Sequence, residues 1–104
     1  MNKIKMIAAF IPVIFLVACS GSESGARDAV LAQLKDPESA KFGEFTEIND
    51  ELACLTVNAK NSMGGYVGDQ QAFLKKKGGE WDFWFTQEVS HQQCIDLWPT
   101  IADQ

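Results

Sequence analysis

The amino-terminal segment constrains this chain most, because it decides which residues are available to fold. Two basic residues, Lys3 and Lys5, precede an apolar run from Met6 to Ala18. A run of about 13 residues is too short to cross the roughly 30 Å hydrocarbon core of a bilayer as a helix. Its length and basic flank are typical of a secretory signal peptide. We therefore exclude residues 1–18 from the fold.

The apolar run ends in LVAC, from Leu16 to Cys19, which resembles the bacterial lipobox. This resemblance implies that Cys19 is lipidated and becomes the new amino terminus, anchored in a membrane by several acyl chains. Ser20 follows where an aspartate commonly signals inner-membrane retention in Gram-negative bacteria. We therefore expect an outer-membrane lipoprotein that faces the periplasm. The alternative is a signal peptide with an incidental cysteine.

The cysteine count predicts one disulfide. If lipid occupies Cys19, Cys54 and Cys94 remain, and paired cysteines persist as disulfides in an oxidising compartment. A bridge closing a loop of this length contributes about 4 kcal/mol in the chain-entropy model. The alternative is a pair of buried free thiols. Two cysteines and the single histidine, His91, do not make up a structural zinc site, and no cofactor is expected.

The mature chain is acidic. Without Lys3 and Lys5 its net charge is about −7, which argues against nucleic acid or anionic lipid as the main partner. The basic run Lys75–Lys77 precedes Gly78 and Gly79 and is predicted to be a solvated hairpin turn.

The hydrophobic pattern predicts one small α+β domain over residues 26–104, after a lipidated flexible tether over residues 19–25. An amino-terminal helix is expected to start near Ser24 or Gly25 and to stop at Pro37, because proline disfavours helical geometry in the residue before it. About four antiparallel strands follow, predicted over residues 42–48, 52–60, 66–74 and 80–86. Ser90 and Gln93 form a capping-box pattern for a carboxy-terminal helix that Pro99 should end.

The last predicted strand, EWDFWFT, is the most aromatic. Strict alternation places Trp81, Phe83 and Phe85 on one face and Trp84 on the other. Because tryptophan is enriched at binding hot spots, Trp84 is a candidate partner-binding residue. The alternative is that Trp84 packs under the carboxy-terminal segment against Trp98.

The glycine-rich stretch NAKNSMGGYVG, from Asn58 to Gly68, lacks the spacing and the following helix of a phosphate-binding loop. It is predicted to be a turn between two strands, since asparagine and glycine tolerate positive φ. A turn of this kind could also present Lys60, Asn61 and Tyr66 to a partner.

Three parts of the mature chain, LKDPESAKFGE, ACLTVNAKNSMGGYVG and the late Cys94, are similar to a group of small, mostly uncharacterised proteobacterial secreted proteins and lipoproteins. Their shared pattern is L-K-D-P-x-S-A-x-F, then C-x-x-V-N-A-K-N-x-x-G-G-Y-x-G, then a carboxy-terminal cysteine. The resemblance implies pairing of Cys54 with Cys94 and implies no activity. This chain departs from the pattern at VGDQQAF, where an aromatic residue often follows the last glycine.

The sequence does not predict an enzyme, because His91 beside Ser90 is explained by helix capping and the carboxylate pairs Asp50/Glu51 and Glu44/Glu47 lack acid–base partners. We expect a membrane-anchored module that binds another envelope protein, as an exclusion lipoprotein or an assembly accessory. The alternative is an inhibitor of a periplasmic hydrolase such as lysozyme, because an acidic protein suits a basic enzyme.

Overall fold

The computed structural model describes residues 22–103. The predicted signal peptide, Cys19 and the first residues of the tether lie outside this range. The described chain forms helix α1 over residues 22–31, a short 3₁₀ turn at Pro37–Ser39, four strands and helix α2 at His91–Ala102. The strands are β1 (Lys41–Glu47), β2 (Leu52–Asn58), β3 (Gln70–Lys77) and β4 (Glu80–Gln87). The predicted α+β fold is confirmed.

The four strands form one antiparallel sheet in the order β1-β2-β3-β4. Consecutive strands are therefore neighbours, with β2 and β3 in the centre. Apolar side chains cover both faces of these central strands. Leu55 and Leu74 are buried on the α1 face, and Cys54 and Phe73 on the α2 face. A helix on each face excludes water from both, so the molecule has three layers.

The predicted disulfide links β2 to α2. Cys54 and Cys94 are fully buried and bonded, with their Cα atoms 6.2 Å apart. The capping box is also confirmed, because Ser90 Oγ accepts from the Gln93 amide and Gln93 Oε1 accepts from the Ser90 amide. Val89 packs on the cluster that contains Cys94. These contacts fix the start of α2 against the sheet.

The prediction that side chains alternate strictly along the last strand is wrong. Phe73 pairs with Phe85, whereas the next residue, Leu74, pairs with Phe83, so Trp84 is an extra residue in β4. A bulge of this kind reverses the side-chain direction beyond it. Trp81 and Phe83 therefore pack on the α1 face, and Phe85 packs with Phe73 on the α2 face.

Both predicted proline stops are misplaced. Helix α1 ends six residues before Pro37, where Gln33 and Leu34 donate to carbonyls three residues back. In α2, Pro99 lies inside the helix, which continues to Ala102. Ile101 and Ala102 pack against the cluster around Trp98, and this packing keeps the last turn helical.

Two segments differ from their predicted conformation. Residues 22–25, predicted to be tether, belong to α1 because Trp81 donates to the Ser22 carbonyl and packs against Gly25. The lysine run continues β3 rather than forming the turn, which consists of Gly78 and Gly79 with φ of +62° and +85°. Conversely, the chain from Tyr66 to Asp69 precedes β3 and makes only an isolated bridge between Lys60 and Tyr66.

Candidate functional site

The segment Lys60–Gly68, which we call the glycine loop, connects β2 to β3 and is held by asparagine side chains. Asn61 Oδ1 accepts from the amides of Met63 and Gly65 at 2.9 and 3.2 Å. Asn58 Oδ1 accepts from the amide of Gly68 at 3.0 Å. These side-chain hydrogen bonds order the loop, whereas a strand would be ordered by backbone hydrogen bonds to its neighbour. The prediction of a turn here is confirmed, with positive φ at Gly64 and Gly68.

Tyr66 attaches the glycine loop to the segment that precedes β1. Its hydroxyl donates to the Ser39 carbonyl at 3.0 Å, and the Lys60 amide donates to Ser39 Oγ at 2.9 Å. The ammonium groups of Lys41 and Lys60 lie 4.6 and 5.6 Å from the centre of the Tyr66 ring. These cation–π contacts place two ammonium groups beside Tyr66, although the protein is acidic as a whole.

Three large apolar side chains of the glycine loop face solvent. Met63 is 92% exposed, and Tyr66 and Val67 are each 42% exposed. Beside Val67, a cleft of about 230 Å³ separates the loop from the chain that follows α1. Leu34, Val57 and Ala59 supply apolar walls to this cleft, and the polar residues Gln33, Lys35, Lys60, Asn61, Gln70 and Thr86 complete its lining. The loop therefore combines a fixed backbone, exposed apolar groups and a recess.

Of the predicted partner-binding residues, Lys60, Asn61 and Tyr66 lie together, and Trp84 does not lie with them. Trp84 is on edge strand β4, whereas Tyr66 contacts the segment beside the opposite edge strand, β1. Asn61 and Tyr66 are exposed and Lys60 is partly buried, but the side-chain oxygen of Asn61 is engaged in holding its own loop.

Trp84 is half-buried because it packs against Trp98, which was the alternative prediction for this residue. Its ring meets that of Trp98 edge to face at 5.4 Å, and Lys75 Nζ lies 5.4 Å from its centre. Trp98 is fully buried and donates to the Leu74 carbonyl at 2.8 Å. Trp84 remains 47% exposed, but its contact with Trp98 shows that it covers part of the hydrophobic cluster on the α2 face of the sheet.

His91 joins a polar cluster that capping did not explain. Its Nδ1 lies 2.8 Å from Gln71 Oε1 and 3.2 Å from Thr56 Oγ1, and its Nε2 lies 2.9 Å from Thr46 Oγ1. A proton on Nδ1, donated to Gln71, leaves Nε2 to accept from Thr46. With both ring nitrogens engaged, the arrangement joins α2 to three strands, β1, β2 and β3.

A second cleft, of about 600 Å³, lies at the other end of the molecule between α1 and the β3–β4 turn. Ser22, Lys76 and Trp81 are among its lining residues. Asp28 and Glu80 also line it, but neither belongs to the carboxylate pairs noted in the sequence. Those pairs, Glu44/Glu47 and Asp50/Glu51, are exposed.

Comparisons with known proteins supply no relative: no protein-family model, curated protein or solved structure matches this chain. Within residues 22–103, three or more histidine, cysteine, aspartate or glutamate side chains nowhere converge to hold a metal ion. No helix in the same range is both long and apolar enough to cross a membrane.

Proposed function

We propose that this protein is an outer-membrane lipoprotein whose domain binds another envelope protein through the glycine loop. The observation that carries the proposal is the exposure of Met63, Tyr66 and Val67 on a loop whose backbone is fixed by side-chain hydrogen bonds. Exposed apolar groups in one place are typical of interaction sites. A loop that is already ordered loses less conformational entropy when it binds.

The cleft beside Val67 also supports the proposal that the glycine loop is the binding surface. Hot spots are commonly apolar side chains that enter a well-packed pocket of the partner. We expect an apolar side chain of the partner to enter the cleft walled by Leu34, Val57 and Ala59. Lys41 and Lys60, which both lie near the Tyr66 ring, would then meet acidic groups of the partner at the rim.

Two biological settings fit this proposal. An exclusion lipoprotein would block a phage or plasmid entry component, and its expression would reduce uptake in a manner that depends on Cys19. An assembly accessory would instead produce an envelope defect on deletion and leave uptake unchanged. The resemblance to small proteobacterial lipoproteins supports the compartment and is equally compatible with both settings.

Inhibition of a periplasmic hydrolase such as lysozyme is the alternative. Overall acidity supports it, because a basic enzyme attracts an acidic inhibitor. The lysines beside Tyr66 do not, since they would repel such an enzyme at the glycine loop. An inhibitor would lower lysozyme activity most strongly at low salt; unchanged activity at low salt would dismiss this alternative.

Affinity capture from detergent-solubilised envelopes tests the main proposal. We expect the wild-type lipoprotein to retain one stoichiometric partner and the Met63→Ser/Val67→Ser variant to lose it. Both side chains are exposed, so the variant should keep its fold. The matched control is Trp84→Ala, which changes a half-exposed aromatic residue on the opposite edge and should retain the partner.

A partner that is kept by the Met63/Val67 variant and lost by Trp84→Ala would move the site to the aromatic strand. No partner with any form would contradict the proposed binding function. Urea denaturation of each variant separates loss of binding from loss of fold.

A further inference from the structure

The first turn of α1 is fixed to one end of the sheet. The Ser22 carbonyl accepts a hydrogen bond of 3.0 Å from Trp81 Nε1, and the Ser22 hydroxyl donates to Glu47. Trp81 is the second residue of β4, and Glu47 is the last residue of β1. Both belong to the end that carries Lys75–Lys77 and the Gly78–Gly79 turn, which we call the lysine end.

The glycine loop lies at the opposite end of the sheet. Strand β3 begins at Gln70, just after the glycine loop, and finishes at Lys77 in the lysine end. Its 8 residues, at roughly 3.3 Å each, separate the two ends by about 25 Å. A surface that approached one end would therefore leave the other end free.

The proposed anchor is very close to the lysine end along the chain. Ser20 and Gly21 are the residues between Cys19 and Ser22. Three Cα-to-Cα steps of 3.8 Å span at most about 11 Å, whatever conformation these residues adopt. A lipid on Cys19 would thus hold Ser22, and the residues that contact it, near the bilayer surface.

We propose that this short tether holds the lysine end against phospholipid headgroups and points the glycine loop away from the bilayer. The inference rests on the lipidation of Cys19 in the proposed function and adds an orientation to it. It places Met63 and Val67 where a protein in the periplasm, or the periplasmic part of a membrane protein, can reach them.

Two side chains of the lysine end, Lys76 and Trp81, suit a headgroup region. Lys76 Nζ lies 5.0 Å from the centre of the Trp81 ring, and tryptophan and lysine are both favoured at membrane interfaces. Lysine side chains near an anionic surface are attracted to it. Five exposed carboxylates at the same end outnumber the three lysines and oppose this attraction: Glu47, Asp50, Glu51, Glu80 and Asp82. The tether, rather than charge, therefore sets the orientation.

Fluorescence quenching on vesicles tests the orientation. The lipoprotein is reconstituted into phosphatidylethanolamine vesicles with a minor phosphatidylglycerol component and nitroxide-labelled headgroups. A genetically encoded fluorophore replaces either Glu80 at the lysine end or Ser62 in the glycine loop, both of which are exposed. We expect quenching to be several-fold stronger at position 80. Equal quenching, or stronger quenching at position 62, would overturn the proposal.

An extended tether is the matched control. A Gly/Ser insert of about 20 residues between Gly21 and Ser22 has a mean end-to-end distance of roughly 25 Å and should abolish the difference between the two positions. A difference that survives the insert would overturn the tether as its cause. The mass of the amino-terminal peptide is measured first: unmodified Cys19 would refute the anchor itself, whereas lipidated protein with equal quenching would refute the orientation alone.

Discussion

At the scale of single residues, local and distant interactions differ in how well the sequence predicts them. Ser90 and Gln93 lie three positions apart, and their reciprocal cap follows from that spacing. His91, which directly follows Ser90, hydrogen-bonds to Gln71 and two threonines, and these three residues lie on three different strands. No local pattern links these positions, because the sheet brings them together. Paired polar residues on the α2 face of the strands would have been the signal, once the strand register was known.

We expect Gln71→Leu to destabilise the protein by about 1–3 kcal/mol, because a buried polar partner is removed from two remaining groups. Gln71 is 2% exposed, and its Oε1 accepts from His91 and from Thr56, the latter at 3.0 Å. Urea denaturation measures the change. The same substitution at the exposed Gln87 is the control and should alter the free energy of unfolding by less than about 0.5 kcal/mol. Equal stability of the two variants would show that the cluster does not stabilise the fold.

At the scale of elements, the sequence predicts type and order better than ends. The four strands and the first helix follow from hydrophobic periodicity, the second helix follows from its capping box, and the disulfide follows from the number of cysteines. The bulge at Trp84 could not be predicted from the sequence. One extra residue in β4 leaves the alternating sequence pattern intact and changes which face of the sheet Phe85 covers. Tertiary packing also sets the helix ends: Trp81 orders the start of α1, and the Trp98 cluster carries α2 past Pro99.

The link between β2 and α2 gives a prediction at this scale. We expect Cys54→Ala/Cys94→Ala to lower the free energy of unfolding by about 4 kcal/mol, because the bridge closes a loop with a sequence separation of 40 residues. Thermal unfolding followed by circular dichroism measures the loss. Reduced wild-type protein is the matched control and should show a similar decrease. A variant as stable as the oxidised protein would mean that core packing alone holds α2 on the sheet.

At the scale of the whole molecule, the three-layer arrangement explains where binding surfaces are available. The helices cover both sheet faces, and each edge strand has an irregular pairing, between Phe42 and Phe45 in β1 and at Trp84 in β4. Irregular edges discourage a further strand from pairing there. The two ends of the sheet remain, and they differ in character. One holds Lys75–Lys77 next to the amino terminus of α1, and the other presents the exposed apolar groups of the glycine loop.

The candidate site could be predicted only in part. The sequence indicated the glycine loop and named Tyr66, but it did not indicate Met63 and Val67, whose exposure depends on how Asn58 and Asn61 fold the loop. It also named Trp84 as a candidate partner-binding residue, because burial against Trp98 depends on contacts that are distant in the chain. The exposure of side chains in a loop depends on the tertiary structure. The amino-acid composition of the loop alone does not determine it.

Photo-crosslinking in living cells tests whether the glycine loop is the partner-binding surface. A photoreactive amino acid replaces either Met63 or, as a matched control, the exposed Gln92 on the outer side of α2. We expect one discrete crosslinked protein from position 63, absent from position 92 and independent of small changes in expression. No adduct from position 63, or the same adducts from both positions, would contradict it.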